Sequence, residues 1–185
     1  MKQSRAAIRY AKALLTLTQE SGALEKAYKD MCFVAKVYSQ NKDFVLLLKS
    51  PIIKTDLKLK ILEQLFKNQL TSISMDFISI IASKRREKLL GLIASAFIFL
   101  YKENKNIATA TVTTAIPIDE SLKKEVIRFV QKTGNQEVEL KEIVDKSILG
   151  GVVIRSGGKQ LDASISSAIY ELKQKFNKNL YLQDY

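Results

Sequence analysis

Apolar residues return at intervals of three and four along the first hundred residues of the chain, which is the spacing of one face of an α-helix. Tyr10, Ala13, Leu14 and Leu17 form a first stripe, and beyond Ser21-Gly22 a second runs through Leu24, Tyr28, Met31, Ala35 and Tyr38. A short segment from Phe44 to Leu48 follows. Ser50-Pro51 then breaks the chain, Thr55 is placed to cap a helix with Asp56 in its first turn, and Leu57, Ile61, Leu62, Leu65 and Phe66 supply its face. Thr71 to Ser74 restart the pattern. Ile73, Phe77, Ile80 and Ile81 make a fifth stripe closed by Lys84-Arg85-Arg86, whose charges suit a helix C-terminus, and Leu89, Ile93, Phe97 and Leu100 make a sixth. The pattern predicts a six-helix bundle over residues 1–105.

At Ile107 the period changes to two. Thr109, Thr111 and Thr113 alternate with Ala108, Ala110 and Val112, and β-branched residues favour an extended chain. Pro117 ends this strand, Asp119 and Glu120 stand where a helix N-terminus favours negative charge, and Leu122, Val126, Phe129 and Val130 give the helix an apolar side that Gly134-Asn135 stops. Val138 and Leu140 alternate with Glu137, Glu139 and Lys141. Gly150-Gly151 leads into Val152-Val153-Ile154, and Gly157-Gly158 turns that strand back through Lys159 to Leu161. A last helix is expected from near Asp162, with Ile165, Ile169, Leu172 and Phe176 on one side, and the end from Asn177 to Tyr185 has no clear period and is expected to be weakly ordered. Residues 106–185 thus read as a small α+β domain with a β-hairpin, and the fold class is α+β overall.

Charge sharpens the division. The 185 residues carry a net charge of +11, and residues 1–105 hold 19 basic against 9 acidic side chains (+10) while residues 106–185 hold 11 against 10 (+1). A shift of that size at the polar connector Lys102-Glu103-Asn104-Lys105-Asn106 points to two domains with different partners. The chain has no histidine and one cysteine, Cys32. There is therefore no Ser-His or Cys-His dyad, no imidazole base near neutral pH, no Cys-rich metal site and no intrachain disulfide.

The remaining candidates for chemistry are few. Gly157-Gly158-Lys159 looks like the end of a phosphate loop, but Val153 stands where its first glycine belongs and Gln160 where Ser or Thr would hold magnesium. Asp145 and Asp162 could pair for acid–base work, although their places beside glycines and helix starts favour capping and turn formation. Lys84-Arg85-Arg86 could contact phosphate, or simply offset the dipole of the helix it closes. Tyr10 and Phe77 could stack on bases, yet both fall on apolar stripes. A pI near 9.6 keeps a basic RNA-binding or ribosome-associated protein as the alternative reading, against which the lysines are scattered over every helix. The longest apolar run, Leu89 to Tyr101, has 13 residues and falls short of the ~20 that cross a bilayer. Lys2, Arg5, Arg9 and Lys12, with no acid before Glu20, resemble an organelle presequence in composition, but a first amphipathic helix explains the same residues and their period.

Four blocks of residues carry a family resemblance. Ala7-Ile8-Arg9-Tyr10-Ala11-Lys12-Ala13-Leu14-Leu15, Asp76-Phe77 with Ile80-Ile81 and Lys84-Arg85-Arg86, and Val112-Thr113-Thr114-Ala115-Ile116-Pro117 stand in order. The fourth block is Asp145, Ile148-Leu149-Gly150-Gly151-Val152-Val153-Ile154-Arg155, then Gly157, Asp162 and Ser164. Together they resemble the delta subunit of bacterial F-type ATP synthase and its mitochondrial relative, the oligomycin-sensitivity-conferring protein. The chain departs from that pattern at Lys146, where proline is usual, at Ser156 and Ala163, and at Ser166 and Ala168, where many members have arginine.

The resemblance implies a non-catalytic connector in the peripheral stalk of the proton-translocating enzyme, with no cofactor and no metal. It ties the catalytic head to the membrane-bound stator, on the cytoplasmic face of the cell inner membrane. It also implies the partners: the N-terminal helix of an alpha subunit, held between the first and fifth helices, and the end of the b-subunit stalk, met by the C-terminal domain. A helix seated in a groove needs apolar anchors on both walls. Tyr10, Ala13 and Leu14 offer one wall and Phe77, Ile80 and Ile81 the other, some of them also serving the core.

Overall fold

The computed structural model describes residues 4–67, 69–132 and 137–177, and the chain divides into two compact units, Met1–Asn104 and Lys105–Tyr185. The expected stop at Gly134-Asn135 and the weak order expected after Asn177 lie outside the described residues.

The first unit carries α1 (Arg5–Glu20), α2 (Leu24–Gln40), α3 (Lys42–Lys49), α4 (Thr55–Phe66), α5 (Ser72–Ser83), a 3-10 turn at Glu87–Leu89 and α6 (Leu90–Asn104). Their centre is α6, where Leu90, Ile93, Ala94, Ala96, Phe97 and Tyr101 are all buried, and α1 and α2 pack along it. Most of the apolar circumference of this helix is covered, with Leu92 and Phe99 left exposed. Such coverage needs close approach. A Cβ on Gly91 would stand 2.4 Å from the Tyr38 ring, so the absence of a side chain is what lets α2 and α6 meet there. α1 contributes Ala7, Ala11, Leu14 and Thr18, and the Thr18 hydroxyl donates to the Leu14 carbonyl at 2.8 Å, which keeps that buried oxygen satisfied within the helix.

Two buried polar joints fix the outer helices. The Lys58 ammonium donates to the Leu48 and Ser50 carbonyls at 3.0 and 2.7 Å and to Glu87 Oε1 at 2.7 Å, tying α4 to the end of α3 and to the 3-10 turn. All three of its protons are thus used, which a buried cation requires. Asp30 on α2 accepts from the Thr71 amide and hydroxyl at 3.0 and 2.6 Å and so sets the start of α5. Thr55, expected to cap α4, is instead its first helical residue; Lys54 holds the cap position and no side chain caps the turn.

The second unit is a four-stranded sheet with two helices, in the order β1 (Ile107–Thr114), α7 (Glu120–Gln131), β2 (Glu137–Val144), a 3-10 turn at Lys146–Ile148, β3 (Gly151–Ser156), β4 (Lys159–Ser164) and α8 (Ile165–Asn177). The chain is therefore α+β. Strand order is β2-β1-β3-β4, with β1 parallel to β2 across the α7 crossover and the other pairs antiparallel. Register places Ala108, Ala110 and Val112 on the same face as Val138, Leu140, Val152 and Ile154, and α7 covers it with Leu122, Val126 and Val130. Gly157 and Gly158 both have positive φ, as a two-residue hairpin turn demands, and they make the β3–β4 turn. At Gly151 φ is +79° and a Cβ would lie 2.2 Å from the Ala163 carbonyl oxygen, so β4 can pair here only with glycine.

The last helix starts three residues later than the pattern suggests. Asp162 belongs to β4, opposite Val153, and braces the helix start from outside: its carboxylate accepts from the Ser164 amide at 3.0 Å and the Ser167 hydroxyl at 2.9 Å, while the Ser164 hydroxyl accepts from the Ser167 amide at 3.2 Å as the cap. Strand pairing outweighs the local preference of an Asp-Ala-Ser sequence to begin a helix. The Ser166 hydroxyl donates to the Ser147 carbonyl at 3.2 Å and so links the first turn of α8 to the turn after β2.

Two consequences can be measured. Gly91→Ala should destabilise the first unit by about 1–3 kcal/mol through overpacking against Tyr38, read as a lower midpoint in urea; an unchanged midpoint would show that the ring yields freely. The bonds to Ser164 and Ser167 hold Asp162 below its ordinary value of 3.8. Its contribution to stability is therefore complete above 3.8 and lost as pH falls through the lower folded value. Asp162→Ala should flatten that part of the acid limb of a stability–pH curve and leave the neutral-to-alkaline slope unchanged.

Candidate functional site

The described residues hold no assembled catalytic set. No group of three or more His, Cys, Asp or Glu is placed to hold a metal ion among them. Asp145 accepts from the Ser147 amide at 2.9 Å and caps the short turn after β2, just as Asp162 serves α8. Hydrogen bonds from Ser147 and from Ser164 pull both carboxyls below the ordinary range, away from the raised value that a general acid near neutral pH needs. The glycine pair before Lys159 is a hairpin turn and is not a phosphate cradle.

What the first unit does present is surface apolar residues in rows. On α1 the core face is Ala7, Ala11, Leu14 and Thr18. Beside it, at steps of four, three and four, run Ala6, Tyr10, Ala13 and Leu17, which share a second face of the same helix. Ala6 and Tyr10 are half-buried, and Ala13 and Leu17 are exposed. On α5, Ser74, Phe77, Ile78, Ile81 and Ala82 are inside, and Ile73 and Ile80 lie along its flank. Ile80 is 54% exposed, Ile73 half-buried, and Phe77 retains only an edge at 9%. α1 packs on α6 and α2 and α5 packs on α4 and α2, so both helices border α2.

The six residues expected to line the groove therefore divide. Leu14 and Ile81 are core residues, at 0% and 1% exposure, and have no surface to offer a partner; Phe77 offers an edge, and Tyr10, Ala13 and Ile80 are accessible. Phe77 has no open ring face on which a base could stack. Ala6, Leu17 and Ile73 join the accessible set. Their signal was present in the sequence, because the apolar stripe on each helix is wider than one buried face needs.

The second unit exposes apolar residues differently. No residue of α8 from Ile165 to Phe176 is buried, and Ile165, Ile169, Leu172 and Phe176 are 49%, 51%, 54% and 86% exposed along one side of it. Its N-terminus is held by Asp162 and by the Ile165 amide, which donates to the Gly150 carbonyl at 3.0 Å. Between α7 and the hairpin lie two clefts of about 420 and 400 Å³ that share Phe129, Ile154 and Leu161. No helix among the described residues is long and apolar enough to cross a membrane.

Comparison with known proteins gives the family. The family model described as ATP synthase delta (OSCP) subunit matches residues 6–176. The ATP synthase delta protein of Christiangramia forsetii is 35% identical over 182 residues, covering 98% of each chain. That from Cytophaga hutchinsonii is 34% identical over 180 residues, 97% of this chain and 98% of the other, and that from Chlorobaculum tepidum is 35% identical over 173 residues, 94% and 96%. In the solved structures, a chain of the Toxoplasma gondii mitochondrial ATP synthase hexamer superposes with a TM-score of 0.73 over 96% of this chain and 100% of its own, at 22% identity, which is likeness of fold. With matches that run through both units and at near-equal length, the chain belongs to the ATP synthase delta (OSCP) subunit family.

Proposed function

We propose that this chain is the peripheral-stalk component that couples the catalytic head of an F-type ATP synthase to its membrane-anchored stator. It catalyses nothing itself. Its membrane association is peripheral, at the cytoplasmic face, and runs through the complex. The first unit is a six-helix bundle that binds the N-terminal helix of an alpha subunit in a groove walled by α1 and α5; the second meets the C-terminal end of the b-subunit stalk through the apolar side of α8.

The observation that carries the reading is the apolar residues outside the core, the row Ala6-Tyr10-Ala13-Leu17 on α1 and Ile73 with Ile80 beside the buried Phe77 on α5. A row at steps of three and four that lies outside the core is what an amphipathic helix recognises. Small Ala13 allows a close approach, and larger Tyr10, Leu17 and Ile80 supply area, at about 25 cal/mol per Å² of apolar surface removed from water. A stator works under load and needs a low off-rate, which desolvated apolar anchors provide. Charge mainly governs encounter, and the +10 of residues 1–105 attracts an acidic segment from a distance. α8 supports the second contact in the same way, since an isolated helix of 13 residues with its apolar side in water is marginal and gains from a partner helix.

Ala13→Asp puts a charge at the centre of the α1 row on an exposed site. It should abolish binding of the N-terminal peptide of the alpha subunit in calorimetry while the circular dichroism of the protein stays unchanged; unaltered affinity would remove α1 from the groove. Association should also slow with added salt, and a rate insensitive to ionic strength would rule out steering by the basic unit. On the second unit, Leu172→Asp should release the distal stalk fragment of the b protein in a pull-down but retain the alpha-subunit peptide. Loss of both would mean that the variant had failed to fold.

A further inference from the structure

One corner of the first unit has no part in either docking surface. It holds a cavity of about 560 Å³, walled by the connection between α3 and α4, the first turn of α4 and the residues that follow α5. Lys49, Lys54, Arg85 and Lys88 line it against the single exposed acid Asp56, and none of the four cations forms an ion pair among the described residues. The α4 N-terminus opens here without a side-chain cap. Its unsatisfied amides and dipole add to the positive field.

Glu87 lines the same cavity. Its side chain is nine-tenths buried, Oε1 is bonded to Lys58, and Oε2 is buried without a hydrogen-bond partner. The cations of the site ask for an anion at its rim. Inorganic phosphate meets that demand, and so does a carboxylate side chain of a peptide, which can also cover the apolar wall. Ile52, 89% exposed on the wall, adds an apolar contact, and no aromatic ring lines the cavity to stack with a base.

Arg85 points the same way. The Arg85 amide donates to the Ala82 carbonyl and the Arg86 amide to the Ile81 carbonyl, which closes α5 with a left-handed residue at φ +54°. Glycine is the easier residue at that position. Keeping an arginine there makes sense if its charge is used.

From these observations we infer that the α3–α4 corner is a second docking site, which takes an acidic, extended segment of a protein partner. A carboxylate sits between the rim cations Lys49, Lys54, Arg85 and Lys88 and the α4 amides, and an apolar side chain of the segment covers Ile52. The site does not depend on the groove between α1 and α5.

The probe is a fluorescently labelled peptide of alternating glutamate, glycine and leucine, titrated with the full chain in anisotropy, with inorganic phosphate and a single-stranded oligonucleotide as competitors. The wild-type chain should bind the peptide. Lys54→Glu with Lys88→Glu should weaken binding by roughly tenfold or more, and Ile80→Asp, in the other groove, should leave it unchanged. Arg85→Gly should weaken binding and yet raise the thermal midpoint, because glycine relieves the left-handed backbone; a purely structural arginine would not move the two in opposite directions. No binding by the wild-type chain, equal binding by the double variant, or full displacement by phosphate overturns the proposal. Tighter binding of the oligonucleotide, lost in the same double variant, overturns it in favour of a nucleic-acid site.

Discussion

A helix that is apolar around most of its surface has to be covered over most of it, and the burial of Leu90, Ile93, Ala94, Phe97 and Tyr101 on α6 is the constraint from which the first unit follows. α1 and α2 pack along it, and the missing side chain at Gly91 lets the Tyr38 ring lie against its backbone. α1 commits Ala7, Ala11, Leu14 and Thr18 to that task. The neighbouring row from Ala6 to Leu17 is then surplus to the core, and a surplus apolar row on a stable helix is available for a partner. The accessible apolar row is thus a by-product of how the core is closed.

Polar burial in this unit works as jointing. Lys58 reaches three acceptors on two segments, and Asp30 accepts both polar groups of Thr71. Neither is a strong source of stability, since desolvation offsets much of what a buried ion pair returns. Each does fix where a helix begins or where a connection runs. The Lys58 joint uses only Glu87 Oε1 and leaves Oε2 buried without a hydrogen-bond partner among the described residues.

The two units bury their apolar residues to different degrees. α7 lies on the sheet and closes a small core around Val112, Val126 and Ile154, whereas α8 is attached by its N-terminal bonds and leaves its apolar side in solvent. A helix held at one end and exposed along its length is suited to pairing with another helix, which is consistent with a connector that joins two larger bodies.

The periods of three-to-four and of two were enough to determine the helices, the strands and the change of regime at Ile107, because those periods reflect only which side of an element meets water. Turn chemistry was equally local: Gly157-Gly158 made its hairpin and Asp119 its cap, accepting from the Glu120 amide at 2.8 Å. The division of each apolar stripe was not local. Tyr10 and Leu14 read alike in sequence, yet Leu14 is core and Tyr10 only half-buried, because the choice depends on which flank α6 happens to cover. Pairing with β3 likewise drew Asp162 into a strand where its own neighbours favoured a helix start. The cationic corner was invisible for the same reason: Lys49, Lys54, Arg85 and Lys88 come from separate stretches of the chain, and only packing brings them around one cavity.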